Sequence, residues 1–234
     1  MTAPGPAWTR ALVDLFLFPR SCFRIVRDSA PWVGLLIVLS ASSIGLSLWI
    51  DPYLGQLARV GLPADAPPEQ IQQLEQVMRL GNLARIVLAP IIVLVGWLAV
   101  GLMIWLLVVA CEGGGAFSRA FSVAAHTSLI AHVYSWFAVL VLSFRGVEAV
   151  QSAADLQPAL GLDLFLSSEQ AGMRALLGSV NLFGLWYLTV LALGVSLVFG
   201  SSRLKSLFIA GTCWGSIVGF QALLAGIASS LSPS

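Results

Sequence analysis

Charge is what this sequence lacks. Only 10% of its 234 residues are Asp, Glu, Lys or Arg, against about 25% in a typical soluble domain. Twelve Lys and Arg oppose eleven Asp and Glu, for a formal net charge of +1, so there is no basic field to attract nucleic acid. Cysteine is scarce as well. Cys22, Cys111 and Cys213 lie far apart with no C-x-x-C pair, which excludes a disulfide framework and leaves structural thiols. No zincin motif, nucleophile elbow or dinucleotide fingerprint occurs. A cleavable signal peptide is not expected either. The earliest apolar run, 11–18, is short, contains Asp14 and is followed by no small-residue cleavage site. The first span should therefore stay as an uncleaved anchor.

What is present is apolar. Hydrophobic residues make up 58% of the chain and the mean hydropathy is +0.92, more apolar surface than a globule of this size can hide. A hydrocarbon core of about 30 Å needs about 20 apolar helical residues. Five stretches qualify, at 31–50, 86–111, 121–144, 180–199 and 206–230, and none contains Asp, Glu, Lys or Arg. Backbone groups in lipid must be paired within their own segment, so the spans are helices rather than barrel strands. The expected fold is an all-α, five-helix transmembrane bundle: a cytoplasmic segment 1–30, a membrane domain 31–230 and a tail 231–234.

Basic residues set the orientation. With the N-terminus cytoplasmic, the inside carries Arg10, Arg20, Arg24, Arg27, Arg119, Arg203 and Lys205, and the outside carries Arg59, Arg79, Arg85, Arg145 and Arg174. N-terminus in and C-terminus out is the expectation. The first 30 residues read as two short interfacial helices, the second starting at Pro19. On it Arg20, Arg24 and Arg27 repeat at i, i+4, i+7 beside Phe23 and Val26. Such a stripe, with Arg203 and Lys205, suits lipid headgroups; the alternative is positive-inside residues with no further role. In the first outer loop Asp65 is a helix N-cap, and Pro67 and Pro68 open an amphipathic helix. Its residues Ile71, Leu74, Val77 and Leu80 pack on the bundle, and it runs into the second span. The second outer loop, 145–179, holds an apolar stretch at 162–166 that is too short to span and is expected to dip into the interface.

Candidate chemistry is sparse. His126 and His132 both fall in the third span, six residues and about 240° apart, so they share no helical face and form no two-His metal site. Each is read as packed and hydrogen-bonded across the bundle. The Gly113-Gly114-Gly115 run has no P-loop lysine after it and reads as a tight turn. In the fifth span Gly211, Gly215 and Gly219 repeat every four residues, with Ala222 and Gly226 near the same stripe. That ribbon admits another helix, either within the chain, which is the favoured reading, or across a dimer seam. With no charge in any span, no proton relay or voltage sensor of the usual kind is present.

Taken in order, several short motifs resemble those of the bacterial Yip family, named for Ypt/Rab-interacting membrane proteins. Phe18-Pro19 with Phe23 precedes the first span. Cys111-Glu112-Gly113-Gly114-Gly115-Ala116-Phe117 resembles the family's Gly-Gly-x-x-Phe turn. The 120–133 region with Ser128-Leu129-Ile130 follows, and Asn181-Leu182-Phe183-Gly184-Leu185-Trp186 opens the fourth span, with Gly194 further along. Ser201 and Lys205 resemble the serine and basic residue of the family's linker before the last helix. The sequence departs where His126 replaces a common Tyr and Asn181 the more usual Asp. The resemblance implies five membrane helices and a cytoplasmic N-terminus. Eukaryotic relatives bind Rab-type GTPases through longer N-termini, an activity not carried over to a lead-in of about 30 residues.

The reading that follows is a non-enzymatic scaffold or membrane-organising protein without cofactors, in a bacterial cytoplasmic membrane. Its partners are lipids, a second copy or other membrane proteins. The rival is a small-molecule or lipid transporter whose cavity is lined by His126, His132, Asn181, Trp186 and Gln221. An intramembrane enzyme using His126, His132 and Glu112 has no motif that places those groups together.

Overall fold

Backbone amides in hydrocarbon can bond only within their own segment, and the chain answers that demand with helices. A computed structural model describes residues 7–63, 66–166, 168 and 170–231. Among these are eight α-helices and no strand: α1 (Ala7–Leu17), α2 (Pro19–Ser29), α3 (Val33–Val60), α4 (Pro68–Glu112), α5 (Phe117–Arg145), α6 (Ala171–Ser179), α7 (Leu182–Phe199) and α8 (Arg203–Leu231). Five of them, α3, α4, α5, α7 and α8, are long and apolar enough to cross a membrane. The expected all-α bundle of five spans is what the structure shows. The Asp65 cap and all of the tail beyond Leu231 fall outside the described residues.

Two helices, α3 and α4, exceed the limits expected of them. α3 continues past Asp51 to Val60, and α4 begins at Pro68 and runs unbroken for 45 residues, about 68 Å. Asp51 ends the charge-free run but not the helix, and Arg85 of α4 stands 3.7 Å from its carboxylate. Tyr53 then packs into a small core with Leu142 and Val150. The outer amphipathic helix is thus an extension of the span rather than a separate element. Its apolar residues do not all pack on the bundle, as Val77 is 65% and Leu80 60% exposed. The connection between α5 and α7 holds a helix missed in sequence, α6, and three short 3-10 turns. Leu164 and Phe165, in the apolar stretch, stand exposed.

The chain divides into two compact units. One takes in the chain up to Leu36, Leu94–Ala131 and everything from Ala159. Here α1 and α2 form a hairpin in which Ser21 donates to the Asp14 carboxylate at 2.6 Å. α2 packs on α7 and buries Cys22, Phe23 and Val26 completely. A Cβ on Gly194 of α7 would come within 2.8 Å of the Phe23 ring, so that ring fills the space a side chain would take. Phe16 of α1 meets Trp186 edge-on, with centroids 5.6 Å apart. The two helices form where expected, but the apolar face of α2 is spent on protein and not on a leaflet.

Other close approaches in this unit use glycines in the same way. The Trp8 ring covers Gly34, the Phe121 backbone lies where a Gly101 side chain would stand, and Gly172 of α6 faces the Ala222 carbonyl of α8. Trp97 and Trp32 flank Phe121. α4 and α7 end at Gly113 (φ +76°) and Gly200 (φ +72°), a left-handed conformation that favours glycine. The tight turn expected at Gly113 is present.

The second unit comprises Ile37–Val93 and His132–Pro158. In its loop after α5, the Asp155 carboxylate accepts from the Ser152 hydroxyl and from the backbone N–H groups of Gln151 and Ser152, between 2.8 and 3.1 Å. These bonds hold its pKa below the usual carboxylate value.

Burial, with the Asp14 carboxylate adding to it, pushes the Cys22 thiol up from 9.0 to about 12. The folded state therefore holds that proton more tightly than the unfolded chain. Its contribution to stability is intact below about pH 9 and is lost as pH rises toward 12. Gly194→Leu should eject Phe23 at a cost of about 1–3 kcal/mol. In detergent at pH 7.5, Cys22 of a C111A/C213A background is expected to resist maleimide and to become reactive once Gly194→Leu is added. Equal labelling of both proteins would refute the docked geometry.

Candidate functional site

The two histidines are put to different uses. His126 is fully buried, and its Nδ1–H donates to the Ser122 carbonyl one turn back at 2.7 Å. That bond leaves Nε2 as a bare acceptor, without a partner among the described residues. His132, in the second unit, lies in a polar seam between α3 and α5. Its Nε2 is 3.0 Å from Ser43 Oγ, Trp136 Nε1–H donates to Ser42 Oγ at 2.7 Å, and Trp49 Nε1–H donates to Ser143 Oγ at 2.9 Å. The Trp136 ring rests on Gly45 and meets Trp49 edge-on. Interhelical bonds of this type contribute about 0.6 kcal/mol each, at most about 1.7, so the seam joins two helices.

The other proposed cavity residues have local duties. Asn181 caps α7: its Oδ1 accepts from Gly184 N–H at 2.8 Å and its Nδ2–H donates to the Gly178 carbonyl at 2.6 Å. An Asp there could accept but not donate, a physical reason for Asn at this position. Gly184 passes directly under the Ser179 carbonyl, and Trp186 receives Phe16. Gln221 is exposed on α8. None of the five lines the cavities of about 440 and 390 Å³ beside the α3–α4 connection. Among the described residues no three His, Cys, Asp or Glu stand close enough to hold a metal ion.

The glycine ribbon of α8 is bare. A Cβ at Gly211, Gly215 or Gly219 would meet nothing within 4 Å, so no described part of the chain packs there. The packing expected at these three falls instead on Gly34, Gly101, Gly172 and Gly194. Those four are isolated in sequence and carry no repeat that would single them out.

Charge is unevenly matched within the first unit. Its α2–α3, α4–α5 and α7–α8 connections are linked, as Ser122 Oγ donates to the Pro31 carbonyl at 3.5 Å and Lys205 of α8 reaches Glu112 of α4. There Asp14 faces Arg10 at 3.9 Å, Asp28 faces Arg27 at 3.1 Å, and Glu112 takes Lys205 at 3.2 Å. Lys205 also donates to the Cys111 carbonyl at 3.0 Å, tying α8 to the end of α4. Each acid is thus matched by one cation. Arg20, Arg24, Arg119 and Arg203 are left exposed, with no carboxylate partner among the described residues. In the second unit, sequence reading missed a cavity of about 440 Å³. It lies between the ends of α3 and α4, where Arg59 and Glu75 pair at 3.3 Å.

Five charge-poor helices with interhelical hydrogen bonds, and charges confined to their ends, define a polytopic α-helical integral membrane protein. The chain belongs to the Yip1 domain family, whose model matches residues 13–225. No curated protein and no solved structure gives a significant match.

His132→Leu should cost about 0.5–2 kcal/mol by breaking the seam. His126→Leu should stay within about 1 kcal/mol of wild type, because it removes an unpaired buried nitrogen along with one local bond. Thermal unfolding in detergent checks the order, and a reversed ranking contradicts these assignments. By the same measurement Gly101→Val should destabilise by about 1–3 kcal/mol, while Gly215→Val should cost less than about 0.5 kcal/mol.

Proposed function

We propose that this Yip1-family protein is a non-enzymatic scaffold that organises the membrane around it through lipid and helix contacts. It sits in a bacterial cytoplasmic membrane with its N-terminus inside and its C-terminus outside. The observation that carries this reading is the set of four unpaired arginines, Arg20, Arg24, Arg119 and Arg203, on the face that holds the N-terminal hairpin. A surplus of Lys and Arg marks the cytoplasmic side. Each unpaired cation near an anionic leaflet contributes about 1 kcal/mol, and salt screens it.

The hairpin adds a means of acting on lipid. Phe16 meets Trp186, about 20 Å of helix from the α7 terminus at Phe199, and Phe23 meets Gly194, about 7.5 Å from it. The turn between α1 and α2 therefore points into the bilayer, and Leu17 and Phe18 at that turn are each 65% exposed. Arg20 lies about 5 Å deeper than Phe23 on this path and reaches headgroups by extending its side chain toward the interface. Apolar residues inserted among acyl chains, with guanidinium groups drawing phosphates inward, thin a leaflet locally. The bare ribbon of Gly211, Gly215 and Gly219 is the surface open to another helix.

Lipids co-extracted in polymer-bounded native discs provide the test. Wild type should be enriched in anionic phospholipid over the bulk membrane. Changing Arg20, Arg24, Arg119 and Arg203 to Gln should remove that enrichment, by about fivefold per arginine at low salt. Identical lipid profiles for wild type and variant would overturn the proposal.

A further inference from the structure

One side of α4 carries a pattern that the rest of the chain leaves uncovered. Gln70, Gln73, Val77, Leu80, Ala84, Val87 and Ile91 follow one another in alternate steps of three and four, the 3.5-residue period of a coiled-coil seam. All of them are exposed. The opposite side of the helix is taken by the chain itself: Glu75 and Arg85 reach Arg59 and Asp51 of α3, and Ala89 and Val93 are buried. A Cβ at Gly81, on the open side, would meet nothing within 4 Å. Four glutamines and the charged Glu69, Glu75, Arg79 and Arg85 keep 68–85 in water. Val77 and Leu80 are therefore apolar groups exposed to water, where burial drives association; Val87 and Ile91, in the charge-free run, add contact only.

The occupant follows from symmetry and charge. Copies of one membrane protein insert the same way, so their α4 helices run parallel, and a two-fold axis along the membrane normal sets each seam residue against its own copy. A glutamine amide both donates and accepts, so Gln70 and Gln73 can each pair with themselves and hold the register. Between Gln70 and Ile91 the charges Glu75, Arg79 and Arg85 all fall at heptad positions turned away from the seam, and the pairing opposes no like charges. The seam runs about 32 Å along the helix. At roughly 90 Å² per side chain, two copies bury about 1,200 Å² along it, the lower end of the range for stable interfaces. We propose that α4 pairs along this seam with α4 of a second copy of this chain. The seam is separate from the glycine ribbon of α8 and does not depend on the four arginines that carry the lipid reading.

Disulfide crosslinking of the full chain in native membranes tests this. Above the wild-type background, oxidation should join Leu80→Cys to its own copy, and Glu75→Cys, turned toward α3, should give at least tenfold less crosslinked dimer. In polymer-bounded native discs, Leu80→Glu should lower the dimer fraction at least tenfold with helix content by circular dichroism unchanged. Co-expressing Leu80→Glu with Leu80→Lys under different tags should restore a mixed dimer, since opposite charges then meet across the seam. Gly215→Leu and the variant lacking the four arginines should dimerise like wild type, so that a failure of the lipid reading leaves this result standing. Equal crosslinking of Leu80→Cys and Glu75→Cys would overturn the proposal, as would a monomeric wild type or a mixed dimer that does not form. A different protein held on this face and released by Leu80→Glu would also overturn it, and loss of the dimer in Gly215→Leu would move the seam to α8.

Discussion

Burying an apolar side chain against another helix gains almost nothing when the alternative is an acyl chain, so helices in lipid associate through close contact and interhelical hydrogen bonds. Both appear here. Phe121 backbone against Gly101, the Phe23 ring against Gly194, the Trp8 ring against Gly34 and the Ala222 carbonyl against Gly172 are contacts that a single added carbon would displace. Where side chains meet instead, tryptophans and serines are paired across α3 and α5. The N-terminal hairpin depends on the same rule, since α2 is held by an aromatic ring filling a glycine gap.

The two units treat charge differently. Around the α2–α3, α4–α5 and α7–α8 connections of the first, each acid is taken by one cation and four arginines remain. In the second, α3 and α4 extend beyond their apolar runs, and Asp51 and Arg85 on those extensions pair at 3.7 Å. The family membership rests on 13–225, and its short motifs acquire physical meanings: Asn181 caps α7, Gly184 clears a carbonyl, Trp186 receives α1, and Lys205 fastens α8 to α4. These are positioning roles. They account for the motif residues without recruiting them to a cavity.

Much of this was legible in advance. The five spans, the tight turn at Gly113, the start of α2 at Pro19 and the family could all be read from the chain, because each follows from local chemistry: lipid forbids unpaired backbone, glycine permits left-handed turns and proline suits a first helical turn. The helical extension past Asp51 was not legible, because a carboxylate ends an apolar run without ending a helix. Nor was α6, a short helix of nine residues that meets α8 at Gly172.

Periodicity pointed to Gly211, Gly215 and Gly219, yet close packing chose glycines without a repeat. Repetition on one helix shows only that a smooth face exists, whereas contact requires a partner backbone at that height, and the path of the whole chain determines where one stands. The same holds for His126 and His132. Their separation around α5 could be computed from spacing, but which would find a hydroxyl and which would keep a bare nitrogen depended on what α3 presented. Composition and local pattern by themselves determined that this is a five-span membrane protein of the Yip1 family. Only the tertiary structure decided which residues touch and which charges go unmatched, because those are properties of pairs brought together from distant parts of the chain.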